Sequence, residues 1–150
     1  MQIFKTTTGL KSFLEDCRDN NKKISLVPTM GGLHDGHLKL VDRARAISDI
    51  VVVSIFVNPT QFARGEDFED YPNTLSSDQK KLESEGVDVL FLPSKGEIYP
   101  DGLHNDYKVG EIGQILCGAF RPSHFDGVAQ VVQRFFDIVK PDYSVFGEKD

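Results

Sequence analysis

Two histidines stand three residues apart, His34 and His37, and three glycines surround them, Gly31, Gly32 and Gly36. Side chains at i and i+3 share one face of a helix. A short apolar segment precedes the group, so we predict a strand that leads into the first turn of a helix. The unpaired N–H groups and the dipole of such a turn favour an anion, and glycines let a phosphate approach the backbone. This pattern predicts a nucleotide site.

A second polar group, Lys149, lies in residues 147–150 (GEKD), after another apolar segment. Two imidazoles and a lysine suit transfer at a nucleotide phosphate, a reaction in which the protein chiefly positions the reactants and stabilises charge. Lys149 would then bind the phosphates. The alternatives are that Lys149 is an ordinary surface lysine and that His34 and His37 only cap a helix.

Other polar residues suggest weaker hypotheses. Histidines at i and i+3 can share a zinc ion, but no Cys or Glu occurs nearby at a supporting spacing, so we predict no resident metal. Gln61 follows the most continuously apolar segment, and its amide could bind a substrate hydroxyl or carboxylate. Asp78 begins a run of charges, which predicts a solvated helix face, although an acidic residue near a triphosphate could contact Mg²⁺.

The elements that must position these residues follow from the apolar periodicity, which alternates between helix-like and strand-like spacing and so predicts an α/β fold. The predicted strands cover residues 24–27, 50–57, 87–92 and 143–146. The predicted helices cover residues 10–17, 38–47, 75–85 and 128–139, with Gly86 and Pro141 ending the last two. A long polar connection, 58–73, separates the second strand from the third helix. A short strand at 107–109 and a short helix at 112–116 complete the prediction.

The order of these strands predicts where the site lies. Residues 50–57 are apolar except for Ser54, too continuously apolar for either side to face water, which is typical of a central parallel strand. Right-handed crossovers then give a doubly wound parallel sheet, whose common order places the first of the four strands between the second and the fourth. Ligands bind where that order reverses, beyond the carboxyl ends of the first and fourth strands. Residues 30–37 and 147–150 are therefore predicted to meet in one crevice.

Composition limits the classes of protein to consider. A chain of 150 residues suits one domain, and a formal charge of −6 argues against a nucleic-acid or membrane-surface partner. No segment is apolar enough to span a bilayer and the first residues lack the pattern of a secretion signal, so we expect a cytoplasmic protein. Cys17 and Cys117 form no Cys-x-x-Cys pair. Cys17 continues the apolar row of the first helix and is predicted to be a buried structural thiol.

Four segments resemble the pantothenate synthetase family, and they occur in the family's order. They are residues 28–37 (PTMGGLHDGH), 54–62 (SIFVNPTQF), 121–128 (RPSHFDGV) and 146–150 (FGEKD). The first segment alone would indicate only the wider nucleotidyltransferase superfamily. The resemblance runs along the whole chain and implies a Rossmann-like fold of the nucleotidyltransferase type.

The resemblance implies an ATP-dependent ligase that joins pantoate to β-alanine through a pantoyl-adenylate intermediate and releases AMP and pyrophosphate. ATP would enter with Mg²⁺. His37 would donate a proton, with His34 and Lys149 beside the phosphates. The ATP-binding residues would be Met30, Gly31, Gly32, Leu33, His34, Asp35, Gly36, His37, Gly147, Glu148, Lys149 and Asp150. Gln61 would bind pantoate and β-alanine, and Val131 and Val132 would line the pantoate pocket.

Length departs from the family, whose members are nearly twice as long and act as homodimers. We therefore expect residues 1–150 to be an N-terminal ATP- and pantoate-binding domain, with the C-terminal domain absent and the sheet truncated after its fourth main strand. Such a chain would expose a sheet edge and have little activity alone. Two alternatives are another nucleotidyltransferase acting on a phosphate ester and a noncatalytic module that binds a partner through that edge.

Overall fold

The computed structural model describes residues 1–56, 74–100 and 122–147, with side chains in the last range described from residue 130 onward. Several predictions fall outside these ranges. They concern the connection 58–73 with Gln61, the short elements at 107–109 and 112–116, Cys117, and residues 148–150 with Lys149.

Ten elements make up the described part of the chain. In chain order they are β1 Gln2–Phe4, α1 Thr7–Asp19, β2 Ile24–Thr29, α2 Asp35–Ile47, β3 Ile50–Ile55, α3 Leu75–Ser84, β4 Val89–Phe91, α4 Lys95–Ile98, α5 Pro122–Val139 and β5 Tyr143–Ser144. The four predicted strands correspond to β2, β3, β4 and β5, and the four predicted helices to α1, α2, α3 and α5. Gly86 has a left-handed φ of +74° just after α3, as expected of a glycine that ends a helix.

The strands form one sheet in the order β1-β4-β3-β2-β5, and all neighbours are parallel. β2 lies between β3 and β5, which confirms the predicted order. The sequence interpretation missed β1, which pairs with β4 at one edge. Three residues are too short for a periodic pattern, and Ile3 remains 39% exposed on this edge strand.

Helices cover both faces of the sheet, as a parallel sheet requires. Leu26 of β2 and Val52 of β3 point to the first face, where they pack with residues of α1 and α5 such as Leu10 and Phe135. The opposite face packs against α2 and α3. Its buried residues are Val27, Leu33, Val41, Ala44, Val51, Val53, Leu82, Val87 and Leu90. This double burial explains why the central strands are mostly apolar on both faces, with the few polar residues Ser25, Thr29 and Ser54 also buried. No helix in the described ranges combines the length and apolar character needed to cross a membrane.

Three aspartates align the amino ends of the strands. Each directly precedes one strand and accepts a hydrogen bond from a backbone N–H at the start of its neighbour. The pairs are Asp49 with Lys23 at 2.8 Å, Asp88 with Val51 at 2.9 Å and Asp142 with Ile24 at 2.8 Å. These bonds help to set the register, and the register places the carboxyl ends of β2 and β5 side by side.

Cys17 is a free, buried thiol on α1, which confirms its predicted structural role. Burial raises the pKa of the Cys17 thiol, and the nearby carboxylates of Asp16 and Asp88 raise this pKa further. A raised pKa keeps the thiol protonated and unreactive at neutral pH.

Candidate nucleotide site

The segment that carries the histidines lies at the carboxyl end of β2. Residues 30–33 connect β2 to α2, and β5 runs beside β2 with Leu26 opposite Ser144. The backbone N–H of Val145 continues this pairing by donating to the carbonyl of Leu26 at 3.0 Å. Gly147 therefore follows β5 at the same edge of the sheet at which the histidine segment follows β2. The predicted neighbouring of these two strand ends is confirmed, while the meeting of residues 30–37 with residues 147–150 stays a prediction.

The connection after β2 is a tight turn that depends on glycine. The hydroxyl of Thr29 donates to the carbonyl of Ser54 at 2.9 Å and accepts from the N–H of Gly31 at 3.3 Å. Gly31 and Gly32 have φ angles of +88° and +63°, a left-handed region that other residues rarely adopt. These two glycines let the chain turn from the end of β2 toward α2, which packs on the second face of the sheet.

His34 and His37 cap the start of α2 by a reciprocal pair of hydrogen bonds. Nδ1 of His34 accepts from the N–H of Gly36 at 3.0 Å, and Nδ1 of His37 accepts from the N–H of His34 at 3.3 Å. The two rings lie 4.2 Å apart, centroid to centroid. This arrangement is the capping box usually built by Ser or Thr with Glu. The helix-capping interpretation of the histidines is thus correct as a description of their contacts.

The capping hydrogen bonds also indicate the tautomer of each imidazole ring. A nitrogen that accepts a hydrogen bond carries no proton, so each neutral imidazole holds its proton on Nε2. His34 is exposed and His37 is half-buried. An Nε2–H is a donor of a kind that can bind a phosphate oxygen, and the α2 dipole adds positive potential at this end of the helix.

Asp78 of α3 is buried beneath this turn, which corrects the expectation of a solvated side chain. Its exposed fraction is 1%. Oδ1 accepts from the N–H of Leu33 at 2.9 Å, and Oδ2 accepts from the N–H of Gly32 at 3.0 Å and from the hydroxyl of Thr74 at 2.8 Å. Nζ of Lys81 donates to the carbonyl of Leu33 at 2.8 Å. Of the charged residues on α3, Asp78 and Lys81 thus form hydrogen bonds to this turn.

The sequence did contain a signal for the buried Asp78. It lies four residues before Leu82, a fully buried residue of the same helix, so the two share the face that packs on the sheet. The run of charges around Asp78 obscured that spacing.

The backbone donors of the turn are occupied within the chain, contrary to the expectation that the glycines leave their amides open to a phosphate. The N–H groups concerned are those of Gly31, Gly32, Leu33, His34 and Gly36. A phosphate could reach these donors only by breaking hydrogen bonds already formed. The candidate anion-binding groups are therefore side chains, and the imidazoles of His34 and His37 lie at the amino end of α2.

The weaker hypothesis that Asp78 contacts Mg²⁺ finds no support in the geometry of the described residues. Both carboxylate oxygens of Asp78 already accept hydrogen bonds, and the side chain is shielded from solvent. No three His, Cys, Asp or Glu side chains in the described ranges are arranged to hold a metal ion.

Val131 and Val132, the predicted pantoate-pocket residues, lie in the core on the first face of the sheet. Both are buried in the same core cluster as Phe56, the residue that follows β3, and the Phe56 ring meets Phe135, one turn along α5, edge-on at 6.2 Å. This end of α5 is therefore close to the carboxyl end of β3. The adjacent Gln130 is buried as well, and its Oε1 has no hydrogen-bond partner among the described residues.

Known proteins of similar sequence are pantothenate synthetases. That of Aquifex aeolicus is 53% identical over 148 residues, which cover 99% of this chain and 52% of the relative. That of Thermotoga neapolitana is 51% identical over 150 residues, covering 100% of this chain and 54% of the relative. The chain thus spans about half the length of these relatives.

Solved structures agree with the sequence matches. The pantoate-beta-alanine ligase of Francisella tularensis, crystallised with beta-gamma ATP and β-alanine, superposes with a TM-score of 0.83 at 44% identity, over 96% of this chain and 55% of that one. The pantothenate synthetase of Thermus thermophilus gives a TM-score of 0.79 at 40% identity, over 96% and 51% of the two chains. The sequence profile of the Pantoate-beta-alanine ligase family matches residues 2–150. The chain therefore belongs to the pantoate–β-alanine ligase family.

Proposed function

We propose that residues 1–150 form the ATP- and pantoate-binding domain of an ATP-dependent ligase that joins pantoate to β-alanine. The observation that carries this proposal is the pair of capping imidazoles, His34 and His37, at the carboxyl end of a central strand. Family membership supplies the reaction, and the Francisella relative crystallised with beta-gamma ATP and β-alanine supports two of the substrates.

The proposed chemistry has two transfers. A carboxylate oxygen of pantoate attacks the α-phosphorus of ATP, the bond from that phosphorus to the bridging oxygen breaks, and pyrophosphate leaves with the electron pair. The amine nitrogen of β-alanine then attacks the acyl carbon of pantoyl adenylate, the acyl–oxygen bond breaks, and AMP leaves while the amine loses a proton. Neither transfer needs a nucleophile from the protein, so catalysis depends on positioning and on stabilising charge at the phosphates.

The described residues suit the first transfer. Nε2–H of His37 donates to the phosphate oxygens as charge develops on them, and His34 lies beside it with the same tautomer. Both rings are held through Nδ1, which restricts their orientation before ATP binds. Such preorganised donors are the usual source of electrostatic stabilisation in a transition state.

The remaining site assignments belong to the same proposal. Lys149, with Gly147, Glu148 and Asp150, binds ATP from the segment after β5. Gln61 binds pantoate and β-alanine, and Mg²⁺ accompanies ATP. Val131 and Val132 form the apolar wall for the methyl groups of pantoate, a role consistent with their burial near the carboxyl end of β3.

The proposal also concerns which steps of the reaction residues 1–150 can carry out alone. Since it spans about half the length of its relatives, we propose that it binds ATP while complete ligation requires the rest of a full-length, homodimeric enzyme. Purified chain incubated with pantoate, β-alanine, Mg²⁺ and ATP is expected to release little AMP. Robust AMP release would show that 150 residues are sufficient.

Calorimetric titration with Mg·ATP tests the binding role. We expect binding by the wild-type chain and its loss in His37→Ala. A wild-type chain that binds no ATP would refute the domain assignment. Pyrophosphate release by the full-length enzyme that requires a phosphate ester and ignores pantoate would refute the substrate assignment.

A further inference from the structure

We infer that Asp78 and Thr74 are positioning residues of the nucleotide site, acting through the turn that carries His34 and His37. The inference rests on the proposed function, because it assumes that residues 30–37 bind ATP. Neither residue faces the ligand through an exposed group: Asp78 is buried, and the hydroxyl of Thr74 is occupied by the turn.

The carboxylate of Asp78 is placed to hold two consecutive residues of the turn. One oxygen accepts from Leu33 and the other from Gly32, at 2.9 and 3.0 Å. A buried carboxylate is tolerated only when its oxygens are well paired, and here three donors satisfy them. An amide in the same place offers one acceptor oxygen instead of two and directs N–H donors at a backbone that also donates. The turn therefore requires an acid at position 78.

Thr74 provides an independent sign that α3 serves the turn. It is the N-cap residue of α3, where a threonine hydroxyl normally accepts from an N–H of its own helix, but it makes no such bond. Its hydroxyl instead accepts from Gly32 at 3.0 Å and donates to Asp78 at 2.8 Å. The Thr74 hydroxyl therefore does not cap α3 and instead connects the first turn of this helix to Gly32.

The hydrogen bonds continue from the turn to the imidazoles. Lys81 holds the carbonyl of Leu33, and the next N–H along the chain, that of His34, donates to Nδ1 of His37. α3 therefore fixes the peptide units on both sides of Leu33 directly before the capping box begins. Because Gly31 and Gly32 resist no backbone rotation of their own, this tether decides the direction in which α2 and its two rings start.

The test measures ATP affinity and the histidine rings in parallel. Asp78→Asn is expected to raise the Kd for Mg·ATP at least about tenfold, and Thr74→Val, which removes only the hydroxyl, several-fold. Thr74→Ser restores the hydroxyl and should restore the affinity. Two-dimensional NMR should show shifts of the His34 and His37 ring resonances, and of the Gly32 and Leu33 amides, in the first two variants.

Asp88→Asn is the matched control. Asp88 also accepts from one backbone N–H, that of Val51 at 2.9 Å, but at the opposite end of the sheet. We expect it to lower stability while leaving the ATP affinity and the histidine rings as they are in the wild type. A general loss of folding would instead affect all variants in proportion to their stability.

Two results would overturn the inference. One is wild-type ATP affinity in folded Asp78→Asn and Thr74→Val; if Asp78→Asn does not fold, Thr74→Val alone decides. The other is histidine ring resonances that stay unchanged in these variants. A wild-type chain without ATP affinity would count against the proposed function only, since the ring resonances still show whether α3 positions the histidines.

Discussion

His34 combines two roles that substitution can separate. Its Nδ1 caps α2 by accepting from Gly36 at 3.0 Å, and its Nε2–H is proposed to contact ATP. His34→Ala removes both roles. His34→Asn keeps a side-chain acceptor at a position where asparagine is among the best N-cap residues, yet it removes the imidazole. The two variants should therefore differ in stability and agree in their loss of ATP affinity.

The expected magnitudes follow from these contacts. Loss of an N-cap costs about 1 kcal/mol, which for a domain of this size lowers Tm by roughly 2–4 °C. His34→Ala should show this decrease, and His34→Asn should not. A hydrogen bond to a charged phosphate contributes about 1.5–3 kcal/mol, so both variants should bind ATP roughly 10- to 100-fold more weakly.

Thermal unfolding and calorimetric ATP titration measure the two effects. Thr6→Ala is the matched control, because Thr6 caps α1 by accepting from Gly9 at 3.2 Å and lies outside residues 30–37. It should reproduce the loss of stability with wild-type ATP affinity. The reasoning fails if His34→Asn binds ATP as tightly as the wild type, since His34 would then be a cap alone. It also fails if His34→Ala is as stable as His34→Asn.

Three further substitutions test other parts of the structure. A Cβ at Gly36 would lie 2.8 Å from Cε1 of His34, so Gly36→Ala should displace that ring and weaken ATP binding about tenfold, as calorimetry would detect; unchanged affinity would contradict this. Gln130→Met replaces a buried amide whose Oε1 lacks a partner, and urea unfolding should show a gain of about 1 kcal/mol, whereas a loss would mean that the amide is paired. The raised pKa of Cys17 means that the unfolded thiol ionises first as pH rises above its ordinary value of 9.0, so the free energy of unfolding should fall from pH 8 to pH 10, and less steeply in Cys17→Ala. Equal slopes in the two proteins would refute the burial argument.

Most of the sheet could be predicted because burial of the strands and helices produces recognisable patterns of apolar residues in the sequence. β2 and β3 are mostly apolar because helices cover both of their faces, and the known handedness of crossovers then gives their order. β1 and α4 were not predicted because they are too short to show a periodic pattern of burial. Three and four residues are too few to establish a period, and both elements form against partners supplied by the rest of the fold.

The part of the site that depends on contacts between residues close in sequence was predicted. The spacing of His34 and His37 placed them on the first turn of a helix, and their capping bonds span only two and three residues. The glycines were expected to open the backbone to a phosphate, and the direction of the turn's amides was not predictable. The acceptors of the Gly32 and Leu33 amides, Thr74 and Asp78, lie more than 40 residues further along the chain.

The sequence by itself therefore determined the order of the main strands, the helix that begins at the histidines and the family to which the chain belongs. Each of these depends on local spacing or on motifs within a few residues. Only the tertiary structure decided that the glycine turn closes over a buried carboxylate instead of opening toward a phosphate. The sequence around a polar residue does not reveal a hydrogen-bond partner that is distant along the chain. The packing of α3 against the end of β2 brings Asp78 within 3.0 Å of Gly32.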